Sequence, residues 1–310
     1  MVRSIETTAH TMTAPPKGPT PAQLSAGMAC DTAFRIIARR HLDAVIARRD
    51  QTISSDPDAL HQMRIALTRL RTAIRFFSPM VDDDLRLNIW TDLKWLHSQL
   101  GLVRDLDVAI ERIAAANDNE LTSTVQLQSW NEKRSKRHRL LARALRSARF
   151  RRLIERTSNW IESGPWSTRR DKESARLRRS SLADHATHQL AQWEKTLLRK
   201  SRKLDELSVK KRHRLRLLNK RLTYAIESLE DLFVDSSLAK QKAALKTLRK
   251  AQRSLGRLND DTNGRALAKS LNSEGSEMRF RFINRKREKR LLRKAVAAYK
   301  KLDESKPFRA

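Results

Sequence analysis

Apolar side chains recur every third and fourth residue, with a stripe of cationic residues one position further round. This constrains the chain more than any other feature. The stretch His61–Phe77 shows it first. Met63, Leu67, Leu70, Ile74 and Phe77 form the apolar edge of a helix. His61, Arg64, Thr68, Arg71 and Arg75 form the edge beside it, flanked by Arg69. Such a helix buries one face and holds a ladder of donors and positive charges next to it. Asp56 and Pro57 supply an N-cap and a first-turn proline, so its start is set locally.

The pattern returns at His213–Glu227. There Arg216, Lys220 and Arg221 take the offsets of Arg64, Thr68 and Arg69, and Leu215, Leu218, Leu222 and Leu229 carry the apolar stripe. Ser208 is placed to cap this second helix. A second landmark follows each copy: Leu100-Gly101 before Arg104-Asp105, and Leu255-Gly256 before Asn259-Asp260. Two paired landmarks at nearly one spacing predict an internal duplication whose repeated feature is a cationic helix face.

The chain of 310 residues is long enough to bury a substantial core, and 39% of it is hydrophobic. Seven glycines, eight prolines and long runs of Leu, Ala, Arg, Lys and Glu, without alternating Val/Ile/Tyr segments, leave little room for sheet. The chain is expected to be all-α. Residues 1–24 read as a disordered N-terminal arm. Helices are expected over about 25–49, over the His61 stretch, over 84–100 up to a break at Gly101, and on to Ala116. Asn117-Asp118-Asn119 interrupts the pattern, and one long helix follows over about 121–162. Ser163-Gly164-Pro165 closes this half, and 166–181 reads as a junction. The second half repeats the scheme with helices over about 182–204, over the His213 stretch, over 238–255 up to a break at Gly256, and over 275–302. Two four-helix bundles related by a pseudo-twofold axis, over 25–165 and 182–310, are the expected architecture. Lys306-Pro307-Phe308 is expected to fold back onto the second.

Charge narrows the function. Sixty-six Lys and Arg stand against 35 Asp and Glu, a formal net charge of +31. A field of that size draws in polyanions: nucleic acid, an anionic membrane or another phosphate polymer. The single Cys30 excludes an internal disulfide. No run of 18 apolar residues and no apolar segment behind a charged start is present, so neither a membrane span nor a secretory signal is expected, and cytoplasm is the expected compartment.

At both ladders the sequence resembles the CHAD family, the conserved histidine α-helical domain. The resemblance lies in His61-Gln-Met-Arg64 with Arg69-Leu70-Arg71, and in His213-Arg-Leu-Arg216 with Lys220-Arg221-Leu222. The Gly101–Asp105 and Gly256–Asp260 stretches and the Lys-Pro-Phe ending are similar too, so the resemblance runs from about Ser25 to Phe308. It implies two four-helix bundles enclosing a basic groove that binds inorganic polyphosphate, a binding module rather than a catalyst. A cytoplasmic protein associated with polyphosphate granules is the expectation that follows. Two positions depart from the pattern. Thr68 stands where Arg or Lys is usual, and Thr223 replaces the Arg expected before Tyr224. Each copy therefore lacks one charge.

Polyphosphate has no bases to read, so charge and donor geometry alone can recognise it. Arg offers phosphate a planar bidentate fork and Lys a point charge. A one-sided ladder rising about 1.5 Å per residue places a rung roughly every 5 Å along a chain laid beside it. The expected ligand-binding residues are His61, Arg64, Arg69, Arg71, Arg75, His213, Arg216, Lys220 and Arg221. Arg143 and Lys294, at matching places in two later helices, are further candidates, with ordinary surface charge as the alternative. The sequence leaves open whether His61 and His213 donate to phosphate or bond a neighbouring helix. Asp105 and Asp260, after the glycines, read as helix caps rather than acid–base groups. His185-Ala-Thr-His188 has metal-ligand spacing but no third ligand, so no metal and no cofactor are expected. Trp90, Trp95, Trp130, Trp160 and Trp193 read as core. Non-specific RNA or DNA binding at low salt is the rival reading, weakened by the absence of stacking aromatics between the basic residues. An enzyme of phosphoryl transfer would need clustered metal-holding carboxylates or a Walker loop, and neither is found.

Overall fold

A computed structural model describes residues 23–116, 124–272 and 283–308. Eleven α-helices make up its regular structure: α1 (Cys30–Ala47), α2 (Arg49–Ile53), α3 (Pro57–Phe76), α4 (Asp84–Ala116), α5 (Thr124–Arg146), α6 (Ala148–Ser163), α7 (Lys172–Arg179), α8 (Leu182–Ser201), α9 (Val209–Ser228), α10 (Asp235–Asn272) and α11 (Arg285–Ser305). Among the described residues no strand occurs, only one isolated bridge between Ala29 and Ser181. The all-α expectation holds.

Local chemistry places the two ladder helices. Asp56 accepts from the backbone N–H groups of Asp58 and Ala59 with Pro57 in the first turn, so α3 starts where its cap dictates. Ser208 accepts from Lys211 N–H at the start of α9. Their apolar edges are buried: Met63, Leu67 and Leu70 at 0% exposure, Leu215 and Leu222 at 1% and 0%. Full burial of such a side chain is worth roughly 1.5–3 kcal/mol, so these edges fix how the helices turn. Asn219, wholly buried in α9, donates through Nδ2 to Leu248 O of α10 and accepts from Tyr299 Oη of α11, locking three helices together. In the first half Asp83 plays that part, accepting from Trp160 Nε1 and from the Trp166 backbone N–H.

One continuous apolar core runs through both halves, from Leu24 to Phe308. α1 lies at the seam, packed on α3, α6, α7 and α8. Of the expected arm, residues 1–22 lie outside the described residues. Leu24 is buried, and its backbone N–H donates to Asp231. Phe308 is buried in the same core, as its expected return onto the bundle requires. The stretch read as a junction contains α7, which is capped by Asp171.

Four sequence expectations need correction. Gly101 does not break a helix: α4 runs unbroken from Asp84 to Ala116. Gly256 likewise lies inside the single helix α10. Asp105 and Asp260 are therefore mid-helix residues and cap nothing. The long helix expected over 121–162 is two, because Ser147 leaves helical geometry and its hydroxyl accepts from Phe150 N–H to start α6. The first helix starts at Cys30 and passes at Arg48 into the short α2. The Asn117–Asn119 breaker and the first residues of the helix expected at 275 lie outside the described residues.

Candidate functional site

α3 packs on α9, with α4 and α10 flanking, and a cleft of about 500 Å³ opens between the four helices. α3 contributes His61, Arg64, Thr68, Arg71, Thr72 and Arg75. α9 contributes His213, Arg216, Leu217, Lys220 and Arg221. Trp90, His97, Arg104 and Asp105 come from α4, and Asn259, Asp260 and Asn263 from α10. Seven arginine and lysine side chains thus meet two carboxylates. Ladder residues that are far apart in sequence face one space because each helix buries the apolar edge beside its cationic one.

Among the described residues, buried Nη1 of Arg64, Nε of Arg71 and Nε of Arg216 have no hydrogen-bond partner. Burying charge without compensation is costly, so such groups are rare unless a ligand completes them. Protonation behaviour shows the same excess. Desolvation first, and then Arg216 and Arg64, push the Lys220 ammonium down to about 8. Arg71 and Arg221 fall to about 10, again mainly through desolvation, with Arg75 the leading like charge on each. Desolvation lowers His97 to about 3, helped by Arg64, Arg71 and Lys220. His61 is lowered by the same cause, with Arg104, Lys220 and Arg64 adding to it. The Asp105 carboxyl is raised by partial desolvation and by Asp260, although Arg64 opposes the shift.

Of the two glycines, Gly101 makes room for its ladder and Gly256 does not. A Cβ on Gly101 would stand 2.7 Å from Nη1 of Arg64, so the Arg64 guanidinium lies against bare α4 backbone. A Cβ on Gly256 would be 4.0 Å from Nε of Arg216, in ordinary contact.

Eight of the eleven expected site residues line the cleft: His61, Arg64, Arg71, Arg75, His213, Arg216, Lys220 and Arg221. Arg69 does not. It bridges Glu227 at 2.8 Å, which also holds Arg249, and it lies over the Tyr224 ring. Arg143 and Lys294 are exposed on α5 and α11, away from the cleft lining. His213 Nδ1 is 2.5 Å from Asn259 Oδ1, so it bonds a neighbouring helix while facing the cleft. The hydroxyls of Thr68 and Thr72 donate to the carbonyls of Arg64 and Thr68, and neither replaces a missing charge. Thr223 is buried and donates to Asn219 O. His185 bonds Phe76 O within an aromatic cluster. Among the described residues no three His, Cys, Asp or Glu side chains are grouped to hold a metal ion.

The sequence reading missed His97, Asn259 and Asn263, and it placed Trp90 in the core. Trp90 is half-buried at the cleft end, with the guanidinium carbons of Arg71 and Arg75 at 4.6 Å and 4.5 Å from its ring centroid. Such stacking holds two arginines in place without neutralising them.

An all-α bundle built round an arginine-lined interhelical cleft is the class this fold and site define. The chain belongs to the CHAD domain family, which matches residues 36–269. Its fold is similar to that of the CHAD domain from the plant Ricinus communis, with a TM-score of 0.70 and 24% identity, covering 94% of this chain and 92% of that one. It is also similar to PptA from Streptomyces chartreusis, with a TM-score of 0.57 and 15% identity over 90% and 96% of the two chains. At these identities the likeness is one of fold. No curated protein matches the chain. No helix among the described residues is long and apolar enough to cross a membrane.

Proposed function

We propose that the protein binds inorganic polyphosphate in the cleft between α3 and α9, without turning it over. The observation that carries this reading is the set of buried, unpartnered nitrogens on Arg64, Arg71 and Arg216, all on residues of one cleft. A flexible polyanion offering an oxygen at every bond along its length can satisfy them all, and charge-assisted bonds of this kind are worth roughly 1.5–3 kcal/mol each. The reading treats the α3–α4 and α9–α10 pairs as two copies of one unit, gripping the chain from opposite sides. It agrees with what CHAD family membership implies, and polyphosphate granules in the cytoplasm are where such a protein would act.

Binding of RNA or DNA through diffuse charge is the rival. Support for the cleft reading comes from Trp90, the aromatic side chain of the cleft, which is engaged by Arg71 and Arg75 rather than left open to a base. The test is a titration with long-chain polyphosphate at physiological salt, run beside RNA, using wild type and the R64A/R71A/R216A/K220A variant. The variant is expected to lose at least tenfold in polyphosphate affinity, about 1.4 kcal/mol, with helical content retained. Equal binding by wild type and variant, or RNA bound as tightly as polyphosphate, would sink the assignment. Orthophosphate released from polyphosphate by purified protein would replace it with an enzyme.

A further inference from the structure

The cleft ends differently on its two sides. At the His213 end it adjoins a cavity of about 560 Å³ in which two of the three lining arginines already hold carboxylates: Arg212 bridges Glu288 at 2.7 Å and Arg265 bridges Asp261 at 2.9 Å, with Arg285 the third. At the other end Arg75, Trp90 and Arg221 belong at once to the cleft and to a second chamber of about 400 Å³. That chamber is closed by Arg86 of α4 and by Gln192 and Thr196 of α8. Among the described residues no carboxylate lines it and neither Arg75 nor Arg221 has an ion-pair partner, while Arg86 is held by Asp82 at its edge. Three guanidinium groups thus converge on a space with amide and hydroxyl donors opposite them, continuous with the cleft through shared walls.

We infer that the anion track continues past the cleft into this chamber. Further phosphate units of a long linear polyphosphate lie there between Arg75, Arg86 and Arg221 on one side and Gln192 and Thr196 on the other. The inference rests on the polyphosphate reading and extends it to chain length. A chain short enough to be held between Arg64 and Arg216 leaves the chamber unused, whereas a long one fills both and binds more tightly. The track favours this side, because at the His213 end two of the three arginines are already paired with Glu288 and Asp261.

The test compares tripolyphosphate with long-chain polyphosphate on wild type and on a Q192E/T196E variant. Gln192 is exposed and Thr196 half-buried, so both substitutions leave the core intact. The variant is expected to lose about tenfold in affinity for the long chain and nothing for tripolyphosphate, and its long-chain affinity should depend less steeply on log salt. Long-chain binding that survives Q192E/T196E unchanged overturns the extension and leaves the cleft reading standing. Equal weakening for both lengths also overturns it, since a repulsion felt everywhere is no separate subsite. Wild type that ignores both ligands overturns the cleft reading, and the extension with it.

Discussion

His97 stands on α4 facing Arg64 and Arg71 from α3 and Lys220 from α9, and it is neutral in the empty cleft down to about pH 3. A phosphate chain brings the countercharge that these three cations lack. It cancels their repulsion and adds an attraction of its own, which opposes the desolvation that is the larger cause of the shift and raises the His97 pKa from about 3. Polyphosphate binding should therefore take up protons, and affinity should rise as pH falls below about 6.5, in the window between the value of an unperturbed histidine and that of about 3 in the empty cleft. Calorimetry at pH 6 in buffers of different ionisation enthalpy counts these protons. H97Q should take up fewer, and an equal count in wild type and H97Q would remove His97 from the site. For folding of the empty protein the sign is fixed by which state binds more protons. The unfolded chain protonates His97 near 6.5 and the fold refuses it, so stability drops as pH falls from 6.5 towards 3. Lys220 acts on the alkaline side: the penalty for holding it charged is present below about 8 and is relieved as pH rises towards 10.5.

At this scale the sequence shows its limit. Arg64 and Arg216 are legible because each lies one step from an apolar edge that must be buried. Arg69 looks no different, yet its side chain goes to Glu227, a partner 158 positions away that no local pattern reveals. His97 gives no signal of its own, since it becomes a cleft residue only when α4 is laid across α3.

Among the elements, α4 and α10 carry the reading that changed most. A glycine followed by an acidic residue suggested a broken and recapped helix, but both helices run through, and each glycine faces an arginine of the neighbouring ladder. Glycine inside a helix costs about 0.5–1 kcal/mol relative to alanine. The two sites separate the reasons for bearing that cost. In G256A the new methyl meets Arg216 Nε at ordinary contact distance, so the variant should be more stable by roughly 0.5–1 kcal/mol, with polyphosphate affinity unchanged. In G101A the methyl would stand 2.7 Å from the far end of Arg64, a flexible side chain that can swing away. The fold should tolerate G101A, while affinity drops by about tenfold, or ~1.4 kcal/mol, because Arg64 leaves its position. Chemical denaturation and ligand titration of the two variants side by side check both statements. A G101A protein that binds as wild type would mean that the close approach does not position Arg64. The other elements were legible to the extent that their starts are local. Asp56-Pro57 and Ser208 announce helix starts, and Ser147 carries the same signal within a pattern otherwise continuous enough to hide it.

For the whole molecule, the net charge of +31 acts on folding and on binding with opposite dependence on salt. In the empty protein like charges repel, most strongly in the compact state, and the cleft concentrates seven of them. Raising salt from about 0.05 to 0.3 M shortens the screening length through the ~10 Å value of 0.1 M, so the melting temperature of the empty protein should rise. Polyphosphate binding should weaken over the same range, with log affinity falling linearly in log salt by analogy with other polyanions. A ligand present at about a hundred times its Kd adds roughly 2.7 kcal/mol to stability, so the liganded protein should melt higher than the empty one at low salt. The two melting curves should therefore converge as salt increases, the empty protein moving up and the complex moving down. Thermal melts across a salt series, with and without long-chain polyphosphate, measure both arms at once. If the empty protein did not gain stability with salt, the repulsion in the cleft would be compensated within the fold, and the unpartnered arginines would no longer argue for an anionic ligand.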